Sequence, residues 1–166
     1  MGGSYEGRQS LLQHIAGGSV DGAKIREYLT SYGNAKFSIW DTASQKVFYG
    51  VLHLTFQRAN VVMISFDISD HESFLAAKDL YEMVKSDKTK KDKKIVIVGT
   101  KSDCHYFDSE NRFQPAEKFS YKKRILYFEV NPITGEGVDE MFAIIADACV
   151  DGNWKKFLHR KCCLLW

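Results

Sequence analysis

Apolar positions along the chain fall into two patterns. Lys36 to Trp40, Val61 to Asp67 and Ile95 to Gly99 are short runs rich in Val, Ile and Phe, and Leu126 to Val130 is a fourth. Their length and composition suit buried strands. Between them, Phe74, Ala77, Tyr81 and Val84 recur at three- and four-residue steps, as do Met141, Ile145, Ala148 and Cys149. That spacing lines one face of an α-helix. Ser69 and Glu72 have the separation of a capping box just ahead of the first helix. Strands alternating with helices predict an α/β fold, a doubly wound and mostly parallel sheet with helices on both faces. In such sheets ligands sit outside the carboxyl ends of the strands, so the polar residues after each strand are where chemistry is sought.

Composition narrows this picture little. The 166 residues fit one domain with room for a core. With 45% hydrophobic and 27% charged residues the chain is ordinary globular protein. Lys and Arg number 23 against 21 Asp and Glu, a formal net charge of +2, which gives no global argument for nucleic acid as a partner. The lysine-rich stretch from Lys85 to Lys94 reads as a solvated loop. No apolar run approaches membrane-helix length and the polar start is unlike a secretory signal, so a cytoplasmic protein is expected. Cys104, Cys149, Cys162 and Cys163 have neither metal-ligand nor disulfide-framework spacing.

Three strand-end loops carry the chemistry. Trp40-Asp41-Thr42-Ala43-Ser44-Gln45 follows the first strand, Thr100-Lys101-Ser102-Asp103 the third, and Asn131-Pro132-Ile133-Thr134-Gly135 the fourth. In order and spacing they resemble the small GTPases of the Ras superfamily, most closely the Rab branch, whose motifs read Trp-Asp-Thr-Ala-Gly-Gln, Asn/Thr-Lys-x-Asp and Ser-Ala-Lys-Thr-Gly. Ala59 to Ser69 with Glu72-Ser73-Phe74 matches the same branch. The resemblance implies the P-loop NTPase architecture of small GTPases, with GTP or GDP and a magnesium ion as cofactors.

The residues then take roles by that resemblance. A carboxylate at Asp103 accepts from the adjacent N–H donors of guanine, and adenine offers no such pair. The stem of Lys101 packs on the base, and Thr100 is an accepted variant of Asn at its position. Asp41 helps hold magnesium through water. Gln45 matches the catalytic glutamine that orients the attacking water. Asn131, Pro132 and Ile133 occupy the last base-binding motif.

The phosphate side departs from the pattern. The expected Gly-x-x-x-x-Gly-Lys-Ser/Thr loop reads Gly2-Gly3-Ser4-Tyr5-Glu6-Gly7-Arg8-Gln9. Gly2 and Gly7 keep their spacing, but Arg8 replaces Lys, Gln9 stands where a hydroxyl would bind the metal, and Glu6 adds negative charge. Arg for Lys is not a conservative exchange. Ser44 stands where a glycine would let its amide approach the last phosphate. Pro132 has no N–H for the guanine oxygen. Only 33 positions separate Arg8 from Asp41, so the first switch looks largely deleted. The chain starts at the mouth of the phosphate loop, so a fold lacking its first strand is expected.

Residues 1–150 are therefore expected to form a small-GTPase-like domain and residues 151–166 a basic tail ending Cys162-Cys163-Leu164-Leu165-Trp166. A cysteine pair so placed is one of the endings Rab proteins use for lipidation, and two lipids, or one with basic charge nearby, anchor stably. The expectation is a Rab-like GTP-binding protein with weak or no hydrolysis. It would act in vesicle traffic at the cytosolic face of an intracellular membrane, with effector or regulatory proteins as partners. The alternative is a nucleotide-free pseudo-GTPase adapter.

Overall fold

A computed structural model of the chain describes residues 19–20, 23–30, 33–39, 59–87, 94–100, 114–152 and 154. In chain order its elements are β1 (Ser19–Val20), β2 (Ala23–Thr30), β3 (Gly33–Ile39), β4 (Val61–Asp67), α1 (His71–Ser86), β5 (Lys94–Thr100), α2 (Gln114–Lys123), β6 (Leu126–Val130) and α3 (Val138–Asp151). The last three strands form a parallel sheet in the order β4-β5-β6, and a helix intervenes at each step. Both connections are crossovers, as parallel pairing requires.

Each face of this sheet carries helices. Val62, Ile64 and Phe66 alternate along β4 and pack with Ile95 and Ile97 of β5 against Phe74, Ala77, Tyr81 and Val84 of α1 and Ala116 of α2. The other face buries Val96 and Val98 of β5 and Leu126, Phe128 and Val130 of β6 under α3, through Met141, Phe142 and Ile145. Central β5 is thus apolar on both sides, which is why its sequence reads as a continuous Ile-Val-Ile-Val run rather than an alternation. The α/β architecture with helices on both faces is the one the alternating patterns predict.

Four local details differ from the sequence reading. The strand expected from Lys36 begins earlier, at Gly33, and pairs antiparallel with β2 through a register running from Lys24↔Ile39 to Thr30↔Gly33. With β1 this makes an antiparallel meander. β2 was not anticipated, because its residues mix charged and apolar types and only pairing with β1 and β3 gives them a strand's hydrogen bonds. The capping box does not form: Asp70 is the N-cap of α1 and accepts from Glu72 N at 3.0 Å, while Ser69 donates through both N and Oγ to Asp67 Oδ1. A carboxylate one residue nearer the helix takes the cap. Finally, Cys149 does not join the buried face of α3; Met141, Ile145 and Ala148 do, and Cys149 is exposed.

Among the described residues the meander and the parallel sheet share no strand pairing. They are joined by α3, which lies against β2 and sets Phe142 edge-on to Phe37 of β3 at 5.5 Å between ring centroids. Phe37 and Ile39 pack on the same apolar cluster as Val61 and Met63 of β4.

Candidate functional site

The carboxyl ends of β4, β5 and β6 lie together at one edge of the parallel sheet. Asp67 is paired with Thr100, and Thr100 with Val130, so three loops leave the sheet side by side. Small polar side chains lock these ends. Thr100 is 1% exposed, and its hydroxyl donates to Phe66 O at 2.9 Å while its carbonyl accepts from Ile68 N at 3.1 Å. Thr100 is thus a strut between β4 and β5. Asp67, 2% exposed, accepts from Ser69 N at 2.9 Å and from Ser69 Oγ at 2.6 Å, and its own N–H donates to Ser73 Oγ at 2.9 Å. Gly99 is small for a packing reason, since a Cβ there would lie 2.5 Å from Ile68 Cγ2 and 3.1 Å from the Tyr127 hydroxyl.

The loop after β6 is built on Asn131. Its side chain is almost wholly buried, and Oδ1 accepts from Ile133 N at 2.9 Å and Thr134 N at 3.2 Å. The backbone closes around it: Asn131 N donates to Glu136 O at 3.0 Å, and Gly135 N to Asn131 O at 2.8 Å. Glu136 N reaches Thr134 Oγ1 at 3.3 Å. Gly135 and Gly137 take positive φ, 85° and 73°, a conformation glycine adopts without strain. Pro132 is buried in this turn and Ile133 projects from it at 76% exposure. Gly137 then caps α3, its carbonyl accepting from Met141 N at 3.0 Å.

Of the residues singled out in the sequence, the structure therefore brings Thr100, Asn131, Pro132 and Ile133 to one edge. Gly2, Gly7, Arg8, Gln9, Asp41, Ser44, Gln45, Lys101, Asp103, Cys162 and Cys163 lie outside the described residues. Sequence reading did not assign the structural roles of Asp67, Ser69 and Ser73, which hold the end of β4, or of Thr134 and Glu136, which close the turn. An Asp two residues before a Ser, and an Asn before Pro with glycines following, are the local turn signals that mark them. Among the described residues there is no cluster of metal-ligating side chains, and no helix is long and apolar enough to cross a membrane.

Comparison with known proteins agrees with this arrangement. The sequence model of the Ras family matches residues 20–151. The chain is 30% identical to human "Ras-related protein Rab-17" over 111 residues, which cover 67% of this chain and 52% of that protein. It is 33% identical to "Ras-related protein Rab-4" of Dictyostelium discoideum, covering 66% of this chain and 52% of the relative. With "GTP-binding protein YPT53" of Saccharomyces cerevisiae the identity is 29%, over 83% of this chain and 66% of the relative. The chain spans about half the length of the Rab relatives it matches. With the family matched across the meander, the parallel sheet and all three described helices, the chain belongs to the Ras family, as a Rab-like small GTPase.

Proposed function

We propose that the protein binds guanine nucleotide at the carboxyl edge of its parallel sheet, hydrolyses GTP weakly or not at all, and acts in vesicle traffic at the cytosolic face of an intracellular membrane. One observation carries the reading: Thr100 and Val130 are register partners, so the chain leaves β5 beside the Asn131 turn. Asp103, three residues beyond Thr100 in sequence, is the carboxylate that would accept from the base. The turn fits a base in its position and rigidity, because its shape is set internally before any ligand arrives.

On the phosphate side Arg8, Gln9, Asp41 and Ser44 would face the nucleotide, and Asp41 with Gln9 would hold magnesium, which supplies positive charge to the phosphate oxygens when bound. Gln45 would orient water. Arg8 and Gln9 in place of a lysine and a hydroxyl weaken this half, and they favour a second reading, a nucleotide-free adapter that engages effectors in one conformation.

Denaturing the purified protein and titrating the stripped chain with labelled GDP, with and without magnesium, separates the two. Released or bound guanine nucleotide supports the first reading, and Asp103→Asn should then weaken GDP by at least about tenfold, the loss expected for leaving a buried pair unmet. No nucleotide and no binding at millimolar GDP leaves the adapter. Anchoring rests on Cys162 and Cys163. Prenyltransferase labelling of the wild type that vanishes in the Cys162→Ser, Cys163→Ser double variant supports it, and equal labelling of both rejects it.

A further inference from the structure

Helix α2 has two unlike sides. Toward α1 it presents Phe119, whose ring stands edge-on to Phe74 at 6.1 Å and to Tyr81 at 5.3 Å between centroids. Lys123 Nζ lies over the Tyr81 and Phe119 rings, at 5.2 and 5.7 Å, and donates to Glu82 Oε1 at 2.6 Å. Lys78 Nζ of α1 lies over Phe119 as well, 6.0 Å from its centroid. These contacts fix α2 on α1, with Ala116 and Ser120 buried beneath it. The side turned to solvent carries Lys118, Tyr121 and Lys122, all exposed and set at three- and four-residue steps that make them neighbours. Arg124 follows at the helix end, also exposed, its N–H donating to Tyr121 O at 3.2 Å.

From Gln114 to Arg124 the cations Lys118, Lys122, Lys123 and Arg124 face one carboxylate, Glu117. Tyr121 stands among them at 77% exposure. The helix dipole favours cations in the last turn, but it gives no reason for an exposed aromatic ring or for a lysine in mid-helix. Arg124 holds φ 56°, the left-handed conformation that glycine takes at a helix end without strain. An arginine there gives up local ease and sets a guanidinium beside the lysines. Lys122 and Arg124 have no ion pair among the described residues. We infer that the solvent side of α2 docks an acidic segment of a partner protein, with carboxylates on Lys118, Lys122 and Arg124 and an apolar side chain against Tyr121. Charge complementarity sets the sign of the partner, and Tyr and Arg are favoured anchors in protein interfaces. A narrow segment suits this surface better than an anionic membrane plane. The adjoining α1 with its caps carries Asp70, Glu72, Asp79, Glu82 and Asp87 against Lys78 and Lys85, and a plane covering both helices would meet those carboxylates.

The inference does not depend on nucleotide binding, and it is tested on the full chain. The probe is a labelled glutamate-rich peptide with a central leucine, followed by fluorescence anisotropy, with its glutamine counterpart as reference. The glutamate peptide should bind and weaken as salt rises, and the glutamine peptide should not bind. Replacing Lys118, Lys122 and Arg124 together by glutamine should weaken the glutamate peptide about eightfold, about twofold for each exposed ion pair. Arg124→Gly removes a charge and relieves the backbone, so it should weaken the peptide about twofold while the melting temperature holds or rises. Tyr121→Ser should weaken the peptide and leave its salt dependence unchanged. Replacing Lys88, Lys90 and Lys91 by glutamine removes the same charge elsewhere in the chain and should leave the affinity unaltered. No binding of the glutamate peptide by the wild type overturns the inference, as does an equal loss in the two triple variants, which would make the attraction one of net charge. Vesicles containing phosphatidylserine that bind the wild type, displace the peptide and lose their hold on the α2 triple variant would make this surface a membrane contact, and also overturn it.

Discussion

The Ser73 hydroxyl sits where β4 hands the chain to α1, accepting from Asp67 N at 2.9 Å and lying 2.8 Å from Asp70 O and 3.0 Å from Asp67 O. Replacing it by alanine leaves a buried N–H without its acceptor, a loss of about 1–3 kcal/mol. Urea unfolding of Ser73→Ala should show a lower midpoint at unchanged slope; an unmoved midpoint would mean the Asp67 N–H finds another partner. Tyr81 gives a second test of burial. Burial pushes its phenol above the ordinary value, Glu82 adds to the shift and Lys123 opposes it. The folded state thus tolerates the phenolate less well than the unfolded chain does. The sign follows: this stability is fully present below the unfolded phenol pKa of about 10 and is lost as pH rises through the folded value. Stability should fall more steeply above about pH 10 in the wild type than in Tyr81→Phe, and parallel curves would remove Tyr81 as the cause. At this scale the sequence was legible where chemistry is local. The turn after β6 lies where its Asn-Pro and following glycines place it, whereas Ser73 acquires its role only once β4 has delivered Asp67 beside it.

Helices and strands with a single clear periodicity could be read directly. Phe74, Ala77, Tyr81 and Val84 are all buried on α1, and the Leu126 to Val130 strand has the bounds its sequence suggested. β2 could not be read in this way, because its strand character comes from β3 across a register that no local pattern announces. The cap of α1 was misassigned for a related reason. Ser69 and Asp70 are both competent caps in sequence, and Asp67 captures Ser69. The start of α3 is the element most exposed to a single change. Gly137 holds φ 73° with only 3.0 Å between an added Cβ and Glu129 O, so Gly137→Ala combines a left-handed backbone with a tight contact to the β6 backbone. A destabilisation of about 1–3 kcal/mol is expected from the strained conformation. Thermal unfolding checks it, and a melting temperature equal to the wild type's would show that the turn can re-form around alanine.

Across the whole molecule, α3 connects two bodies of different pairing. Phe142 is 1% exposed, packs in the apolar cluster above β5 and β6, and meets Phe37 of the meander. Phe142→Ala should cost about 3–5 kcal/mol, as large aromatic deletions from cores do. Part of that cost should be local: hydrogen exchange in β2 and β3 should accelerate more than in β5. Uniform acceleration would mean that the meander and the parallel sheet open as one unit. The overall architecture was legible because alternation of strand and helix types dictates a parallel sheet. The joint between meander and sheet was not, because it depends on two aromatic rings far apart in the chain.

The same division has a kinetic side. Thr30 pairs with Gly33, only three positions away in sequence, whereas Val61 must find Lys94 and Val96 must find Leu126 across whole helices. Hairpin closure of the first kind takes microseconds, while crossover pairing demands a larger loop entropy before any contact rewards it. The meander can therefore form early in folding without committing the rest. The slow step is expected to be the threading of β5 between β4 and β6, the strand on which both cores and the candidate binding edge depend.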